Sequence, residues 1–194
     1  MSFKHLSPIA FVFLGQLMPV FADPVFLTEW NWKDGGGLIH EYAVFFFPDQ
    51  SWEAANQTNS DEWHLATIAS QKEQEALIAG LQGITGEFWL GAYQTGASGN
   101  PADDWAWITG EKWEYRNWAP GEPNDAHGKN TEQHLAVWSI WGASNWLWND
   151  EGYLPNMTGY ITERTQAVPE PNLLGLMAPV MLMLFGMSKK RKHE

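Results

Sequence analysis

Five side chains with oxygen donors lie in one long loop and in the strand after it. The tripeptide Glu122-Pro123-Asn124 opens the set, Glu132 ends the loop, and Asn149-Asp150 directly follows an aromatic stretch. A cis peptide bond before the proline would turn the glutamate and asparagine side chains toward one point, and cis bonds are practically confined to proline. The pattern therefore predicts one site with three formal negative charges.

Oxygen donors in a flexible loop favour calcium over other cations. Calcium accepts about six to eight oxygens at variable geometry, whereas magnesium requires a stricter octahedron and zinc prefers nitrogen or sulfur. We therefore predict a Ca2+ site whose ligands are Glu122, Asn124, Glu132, Asn149 and Asp150. Two vicinal sugar hydroxyls can complete the shell of such an ion while they exchange hydrogen bonds with the same glutamate and asparagine side chains.

Two predicted helices precede the site. Residues 38–47 are apolar and aromatic and predict a strand. Ser51 is placed to cap a first helix that contains residues 52–55. Ser70-Gln71-Lys72-Glu73 is a capping box, which begins a second helix that Gly83 ends.

After Gly83 the pattern changes to short β segments, at residues 88–92, 105–108, 135–138, 146–148 and 160–163. Stretches rich in Gly, Pro, Asn and Asp separate them, at residues 94–104 and 117–131. Loops of this length in a compact domain are usually functional or disordered. Helices first and strands afterwards indicate an α+β fold.

The order of these motifs resembles the C-type lectin-like domain from Tyr42 to Glu163. The matching motifs are Trp52-Glu53-Ala54-Ala55, His64-Leu65-Ala66-Thr67-Ile68, Phe88-Trp89-Leu90-Gly91, Trp105-Ala106-Trp107 with Gly110, Asn117-Trp118, Glu122-Pro123-Asn124, Trp148-Asn149-Asp150 and Tyr160-Ile161-Thr162-Glu163. The resemblance implies a C-type lectin-like fold, with two helices, small antiparallel sheets and a long calcium-binding loop.

The resemblance also implies roles for the five donors. All five match the ligands of the family's principal calcium site, and the sugar-binding positions are Glu122, Asn124, Glu132 and Asn149. Glu-Pro-Asn in this family implies a glycan with mannose-like equatorial vicinal hydroxyls, whereas Gln-Pro-Asp would imply galactose. The spacing from Asn124 to Glu132 is longer than in typical mannose binders. Gln133 stands where an auxiliary calcium beside Asp125 would need an acid, so no second metal is expected.

The chain has no cysteine, which is the larger departure from the family. The usual disulfide positions hold His134 opposite Tyr153, and Thr162 opposite a residue near Asn59. A native disulfide in a small secreted domain contributes about 2–5 kcal/mol, and each fully buried large aromatic residue contributes about 1.5–3 kcal/mol. We expect the tryptophan-rich β region to compensate, and His134 to contact Tyr153 in place of a bridge.

Other aromatic and histidine residues have simpler interpretations. The family match predicts that Trp105 and Trp107 pack in the core, whereas Trp141 and Trp146 are the better candidates for exposed stacking on a sugar. The isolated histidines at positions 64, 127 and 134 are interpreted as core or surface residues, not as a zinc or catalytic cluster.

The N-terminal 22 residues have the composition of a signal peptide. A basic head with Lys4 and His5 precedes an apolar run at residues 9–21 and a small residue, Ala22. The alternative is a buried first helix. We predict export, with the folded domain at residues 23–167.

Residues 168–194 have a second targeting pattern. Val168-Pro169-Glu170-Pro171 precedes an apolar stretch at residues 173–187 and a basic cluster at residues 189–192. This order resembles the PEP-CTERM sorting signal of Gram-negative bacteria, which implies a sorting peptidase, a transient membrane anchor and a domain at the cell surface or in the extracellular matrix. An ordinary single-pass anchor is the alternative, although the stretch is shorter than the roughly 20 residues of a stable membrane helix.

Composition narrows the function further. Hydrophobic residues make up 44% of the chain, which argues for a globular domain. Between the two targeting segments lie six basic and 21 acidic residues, a formal charge of −15. Such a surface repels nucleic acid and suits cations, because every phosphate contact needs a basic side chain.

We therefore predict an exported calcium-dependent carbohydrate-binding module of the mannose-type lectin class. The alternative is a C-type lectin-like domain used for protein adhesion or for biofilm and extracellular matrix structure without sugar binding. We predict that the chain is not an enzyme, because its carboxylates are accounted for as metal ligands and it has no nucleophile motif.

Overall fold

The ordered elements alternate between a hairpin, two short helices and a set of β-strands. The computed structural model describes residues 23–58, 60, 62–96, 98–139, 145–152 and 154–168. The elements are β1 (Val25–Lys33), β2 (Leu38–Phe46), α1 (Trp52–Asn56), β3 (His64–Leu65), α2 (Gln71–Gly80), β4 (Glu87–Gln94), β5 (Trp105–Trp107), β6 (His134–Trp138), β7 (Leu147–Glu151) and β8 (Gly159–Ala167), with a 3-10 turn at Leu154–Asn156. The predicted signal peptide and almost all of the predicted sorting segment lie outside the described residues. Within the described part, no helix is long and apolar enough to span a bilayer.

All eight described strands join one mixed sheet with the order β1-β2-β8-β4-β6-β7, to which β3 adds along β8 and β5 along β4. The pairing of β4 with β8 is parallel and the other pairings are antiparallel. The predicted α+β class is confirmed, and the strands form one continuous sheet instead of separate small ones. β4 lies centrally and is buried over Glu87–Ala92, which fits its near-continuous apolar sequence.

Two strands, β1 and β3, were not predicted from the sequence. In β1, Trp30 and Trp32 alternate with the exposed polar residues Glu29 and Asn31, and the strand pairs with β2 over its whole length. This alternation is typical of a strand with one solvent-exposed face. The two-residue β3 is too short to leave a pattern.

The helix caps were predicted correctly at the serines and differ at the glutamate. The Ser51 hydroxyl accepts from the Ala54 N–H at 3.2 Å, and the Ser70 hydroxyl accepts from the Glu73 N–H at 3.2 Å. The Glu73 carboxylate accepts from the Ala69 N–H at 2.7 Å and from the Tyr42 hydroxyl at 2.7 Å, instead of from Ser70. The Glu73 carboxylate thus links α2 to β2 through the hydroxyl of Tyr42.

Five aromatic rings form a tryptophan cluster around Trp148, which comprises Trp105, Trp107, Trp113, Trp118 and Trp148. The Trp148 ring centroid lies 5.6 to 5.8 Å from those of Trp107, Trp113 and Trp118. Trp148 is fully buried, and its indole N–H donates to Gln74 Oε1 of α2 at 2.9 Å. The predicted packing of Trp105 and Trp107 is confirmed, since they are 6% and 2% exposed.

The prediction that Trp146 is an exposed stacking residue is wrong. Its side chain is 1% exposed, and its ring lies 5.9 Å from that of Phe88. The strand sequence Leu147–Glu151 turns Trp148 and Asp150 to one face, and Trp146 enters the same core just before it. Trp141, the other stacking candidate, lies outside the described residues.

The cysteine-equivalent positions hold packed and hydrogen-bonded side chains. The His134 ring stacks on Trp52 of α1, with centroids 4.7 Å apart, and its Nε2 lies 3.3 Å from Glu53 Oε1. Burial lowers the pKa of His134, so this contact depends chiefly on packing. The Thr162 hydroxyl donates to the Ala43 carbonyl at 3.4 Å. Tyr153 and Asn59 lie outside the described residues, so the expected contact between His134 and Tyr153 stays a prediction.

Gly80 at the end of α2 provides a test of how β1 packs. An added Cβ there would lie 2.1 Å from the Trp30 ring. Alanine normally stabilises a helix by about 1 kcal/mol relative to glycine. Because the ring blocks it here, we expect Gly80→Ala to lower the free energy of unfolding by about 1–3 kcal/mol, measured by urea denaturation. The exposed substitution Lys72→Ala in the same helix is the control, and an unchanged or more stable Gly80→Ala protein would contradict this packing.

Candidate cation site

Asp150 connects the predicted calcium-binding loop to β7 through hydrogen bonds. Its carboxylate is fully buried and accepts hydrogen bonds from two backbone N–H groups, that of Asn124 at 2.9 Å and that of Asp125 at 2.9 Å. The Glu122–Pro123 peptide bond is cis, as the sequence analysis required for convergence. The Glu122 carboxylate and the Asn124 backbone N–H lie beside Asp150.

Asp125 closes the rest of the loop. Its carboxylate accepts from the Asn130 N–H at 3.0 Å and from the Glu132 N–H at 3.2 Å, and its own backbone has a positive φ of 50°. The sequence analysis considered Asp125 only as a ligand of an auxiliary metal. In the structure it organises the lengthened loop and sets the backbone position of Glu132.

Glu132 points into the site and is 3% exposed. One carboxylate oxygen accepts from the Ala126 N–H at 2.6 Å, and the other lies 2.6 Å from His127 Nδ1. The loop between Asn124 and Glu132 thus places a histidine against the predicted ligand. His127 was interpreted from sequence as an isolated residue, and no periodicity could have revealed this contact.

The Asn149 side chain faces away from Asp150, because successive strand residues point to opposite faces. Its amide nitrogen donates to Glu87 Oε1 at 2.9 Å and to Glu151 Oε2 at 3.3 Å. Ala136 of β6 pairs with Asn149 of β7. Its small side chain leaves room for the Asn149 side chain to reach Glu87 across the face of the sheet. Both partner glutamates were missed by the sequence analysis, although a carboxylate within an apolar strand is a usable signal.

Five carboxylates of β4, β7 and the loop before β6 therefore lie close enough to interact. Glu87, Glu132, Asp150 and Glu151 are between 0% and 6% exposed. Burial raises the pKa of Glu87 to about 7, with further contributions from Glu151 and Glu132 that its bond to Asn149 opposes. Burial, followed by the neighbouring Asp150, raises the pKa of Glu122 to about 7 as well. Burial also raises the pKa of Asp150.

The residues present fit a divalent cation. Among the described residues, no lysine or arginine forms an ion pair with Glu122, Glu132 or Asp150. The Glu122 Oε2 atom is buried and accepts no hydrogen bond from any described group. Hard oxygen donors, excess negative charge and an unsatisfied buried acceptor are what calcium requires.

The structure brings the five predicted ligands to one end of β7 without placing all five side chains on one face. Glu122 and Asp150 interact directly, and Glu132 is close enough to raise the pKa of both. Asn124 contributes its backbone N–H to the assembly and is an exposed residue. The Asn149 amide nitrogen is directed toward Glu87 and Glu151.

Comparison with known proteins places this geometry in context. No family model matches the sequence. The chain is 37% identical over 101 residues to perlucin of Haliotis laevigata, covering 50% of this chain and 59% of perlucin. It is 31% identical over 142 residues to C-type lectin domain family 4 member K of Homo sapiens, covering 71% of this chain and 39% of that protein. The chain thus spans 59% or less of the length of these curated relatives.

Solved structures agree on the fold. Human lithostathine superposes with a TM-score of 0.52 at 17% identity, over 66% of this chain and 84% of that structure. A second structure of human lithostathine gives a TM-score of 0.51 at 15% identity, over 66% and 92% of the respective chains. The fold is that of the C-type lectin-like domain, as the motif order predicted. The relatives include a C-type lectin domain protein, and the prediction that this chain is not an enzyme agrees with these similarities.

The shifted pKa values predict an unusual pH dependence in the absence of calcium. Glu87 and Glu122 have pKa values of about 7 in the folded protein, above the ordinary value of 4.5, so the folded state binds their protons more tightly than the unfolded state. Their contribution to stability is complete below the ordinary value and is lost as the pH rises through about 7.

In EDTA we therefore expect the Tm, followed by circular dichroism, to fall by several degrees between about pH 5 and about pH 8. Calcium should reduce this fall, because it binds the folded state alone. The double variant Glu87→Gln, Glu122→Gln should flatten the profile. A wild-type Tm that rises over this range in EDTA would show that the carboxylates do not repel one another as described.

Proposed function

We propose that this domain is a calcium-dependent carbohydrate-binding module of the mannose-type lectin class. The observation that carries the proposal is the buried, unsatisfied Glu122 Oε2 beside the buried Asp150 carboxylate. A carboxylate oxygen in this position needs a cation or a donor. The C-type lectin-like fold and the lectins among the relatives support a sugar as the ligand.

In this proposal the five predicted residues bind the ion and the sugar. The ion is held by five residues, which are Glu122, Asn124, Glu132, Asn149 and Asp150. When bound, it supplies free coordination positions for two vicinal hydroxyls. The glutamate oxygens accept hydrogen bonds from those hydroxyls, and the Asn124 amide nitrogen donates to them. The Asn149 amide nitrogen already donates to Glu87 and Glu151, so Asn149 takes part through its amide oxygen. Asp150 also holds the Asn124 and Asp125 backbone in place, so its loss would disturb the loop as well as the ion.

A second candidate is protein adhesion or a role in extracellular matrix structure without sugar binding. The β1–β2 hairpin favours it, because Val25, Phe26 and Phe46 are 57%, 52% and 42% exposed at its open end. Isolated exposed apolar residues are ordinary, whereas a group of them commonly marks an interaction surface. Partner binding that is insensitive to chelators would favour this candidate.

We also propose that the domain works outside the cytoplasm. Its basis is the signal-peptide pattern at residues 1–22 and the PEP-CTERM-like pattern at residues 168–194. The second pattern implies a sorting peptidase and a transient membrane anchor in a Gram-negative bacterium. Mass spectrometry of the C-terminus of the exported protein tests this, and an intact tail would favour the ordinary anchor.

Calcium dependence is the direct test of the lectin proposal. We expect the protein to bind mannan beads in calcium and to elute in EDTA, and Asp150→Asn to reduce calcium affinity at least tenfold in a calorimetric titration. The exposed variant Lys72→Ala should behave like the wild type in both assays. Equal retention on mannan with and without EDTA would contradict the proposal.

Sugar preference tests the roles of the tripeptide. The double substitution Glu122→Gln, Asn124→Asp creates the pattern that the family resemblance associates with galactose. We expect it to lower the affinity for methyl mannoside at least tenfold and to raise the affinity for galactose, because it changes which side chains accept and donate hydrogen bonds to the hydroxyls. Unchanged selectivity with calcium still bound would remove Glu122 and Asn124 from the sugar site.

A further inference from the structure

Outside the cation site, one histidine approaches two buried glutamates. Glu73 of α2 is 4% exposed and Glu163 of β8 is 2% exposed. The Nδ1 atom of His40 in β2 lies 2.6 Å from Glu163 Oε1 and 3.7 Å from Glu73 Oε1. These three residues form the His40 cluster, which connects a helix with two strands of the sheet.

Hydrogen bonds hold both glutamates of the cluster in place. Glu163 Oε2 accepts from the Thr67 N–H at 3.0 Å and from the Thr67 hydroxyl at 3.2 Å. Glu73 accepts from the Tyr42 hydroxyl and from a backbone N–H, each at 2.7 Å. Among the described residues, neither glutamate forms an ion pair with a lysine or an arginine. Protonated His40 is therefore the positive charge that compensates this pair of carboxylates.

The other groups that face His40 are acidic or aromatic. Asp34, in the turn after β1, lies 3.9 Å from His40 Nε2. β1 contributes the Trp32 ring and β2 the Tyr42 ring, with centroids 5.1 Å and 6.4 Å from that of His40. Three carboxylates, one each from the turn, α2 and β8, therefore act on the imidazole together.

These contacts shift two pKa values in the same direction. The hydrogen bond with Glu163 raises the pKa of His40, burial opposes this shift, and the charges of the three carboxylates add to it. Burial, followed by the charge of Glu163, raises the pKa of Glu73 to about 7. The stabilisation from Glu73 is complete below its ordinary value of 4.5 and is lost as the pH rises through about 7. The stabilisation from His40 is complete below 6.5 and is lost at higher pH.

We propose that the His40 cluster is a pH-sensitive switch, which holds α2 on the sheet while it is protonated and releases α2 when it loses its protons. Loss of the protons leaves two adjacent buried carboxylates without compensation, which is unfavourable. α2 is the element that moves, because β8 is fixed in the sheet between β2 and β4. This role goes beyond the proposed carbohydrate binding and does not depend on calcium.

The helix that the switch releases also contacts the strand that carries Asp150. Gln74 directly follows Glu73 and is buried. Its Nε2 donates to the Trp146 carbonyl at 2.8 Å, and its Oε1 accepts from the Trp148 indole N–H at 2.9 Å. α2 is therefore held on the sheet by the His40 cluster and at the start of β7 by Gln74.

Hydrogen exchange of the α2 amides tests the switch. In EDTA we expect the protection factors of α2, corrected for the intrinsic exchange rate at each pH, to fall at least tenfold between about pH 6 and about pH 8. The amides of the central strand β4 are the internal reference and should fall less. Constant protection of α2 would overturn the proposal. An equal fall in α2 and β4 would also overturn it, because the opening would then be global.

Two histidine variants separate this switch from other titrating groups. His40→Gln removes the titrating ring and keeps an N–H donor that can reach Glu163. We expect its α2 protection to change less than about threefold over the same pH range. His64→Gln is the matched control and should keep the wild-type dependence, because the His64 ring contacts the Leu65 carbonyl instead of a carboxylate. A His40→Gln protein with the wild-type dependence would overturn the proposal.

An NMR titration of the wild-type His40 ring covers the case in which His40→Gln does not fold. We expect the ring to titrate above the ordinary value of 6.5. Glu73→Gln should lower that midpoint, because it removes one of the carboxylates that stabilise the imidazolium. A midpoint below 6.5 in the wild type would show that His40 does not compensate the two glutamates, and the proposal would fail.

Discussion

The mutual repulsion of carboxylates buried at one end of the sheet is the constraint on which the site depends. Glu87, Glu132, Asp150 and Glu151 have lost nearly all contact with water. Such burial is unfavourable unless the charges are paired, protonated or bound to a metal. Backbone N–H groups, the Asn149 amide and His127 satisfy part of this need. The same crowding that raises the carboxyl pKa values favours a divalent cation, and it is the basis of the proposed calcium binding.

The scaffold around this constraint is aromatic where the family pattern has disulfides. Trp148 immediately precedes the two donors of β7, and the tryptophan cluster together with Gln74 holds it in place. His134 stacks on Trp52 at one cysteine-equivalent position. Packing of this kind stabilises the folded state through buried area, whereas a disulfide acts mainly on the unfolded chain. The strand that carries the site is consequently anchored by the tryptophan cluster.

The loop from Asn124 to Glu132 is folded by its own hydrogen bonds. Asp125 bridges to Asn130 and Glu132 and folds the additional residues back onto the site. This arrangement brings His127 to Glu132, while the turn at Gly152 brings Glu151 to it from the other side.

The local patterns in the sequence were sufficient to predict the helix starts at Ser51 and Ser70, the core role of Trp105 and Trp107 and the general α+β fold. Each of these depends on short-range capping, on the strand period or on motif order. The tertiary structure alone decided that Trp146 is buried and that Glu87 and Glu151 lie beside Asn149. These contacts connect residues from separate strands and loops, and their distances depend on sheet register and strand face, which no local pattern specifies.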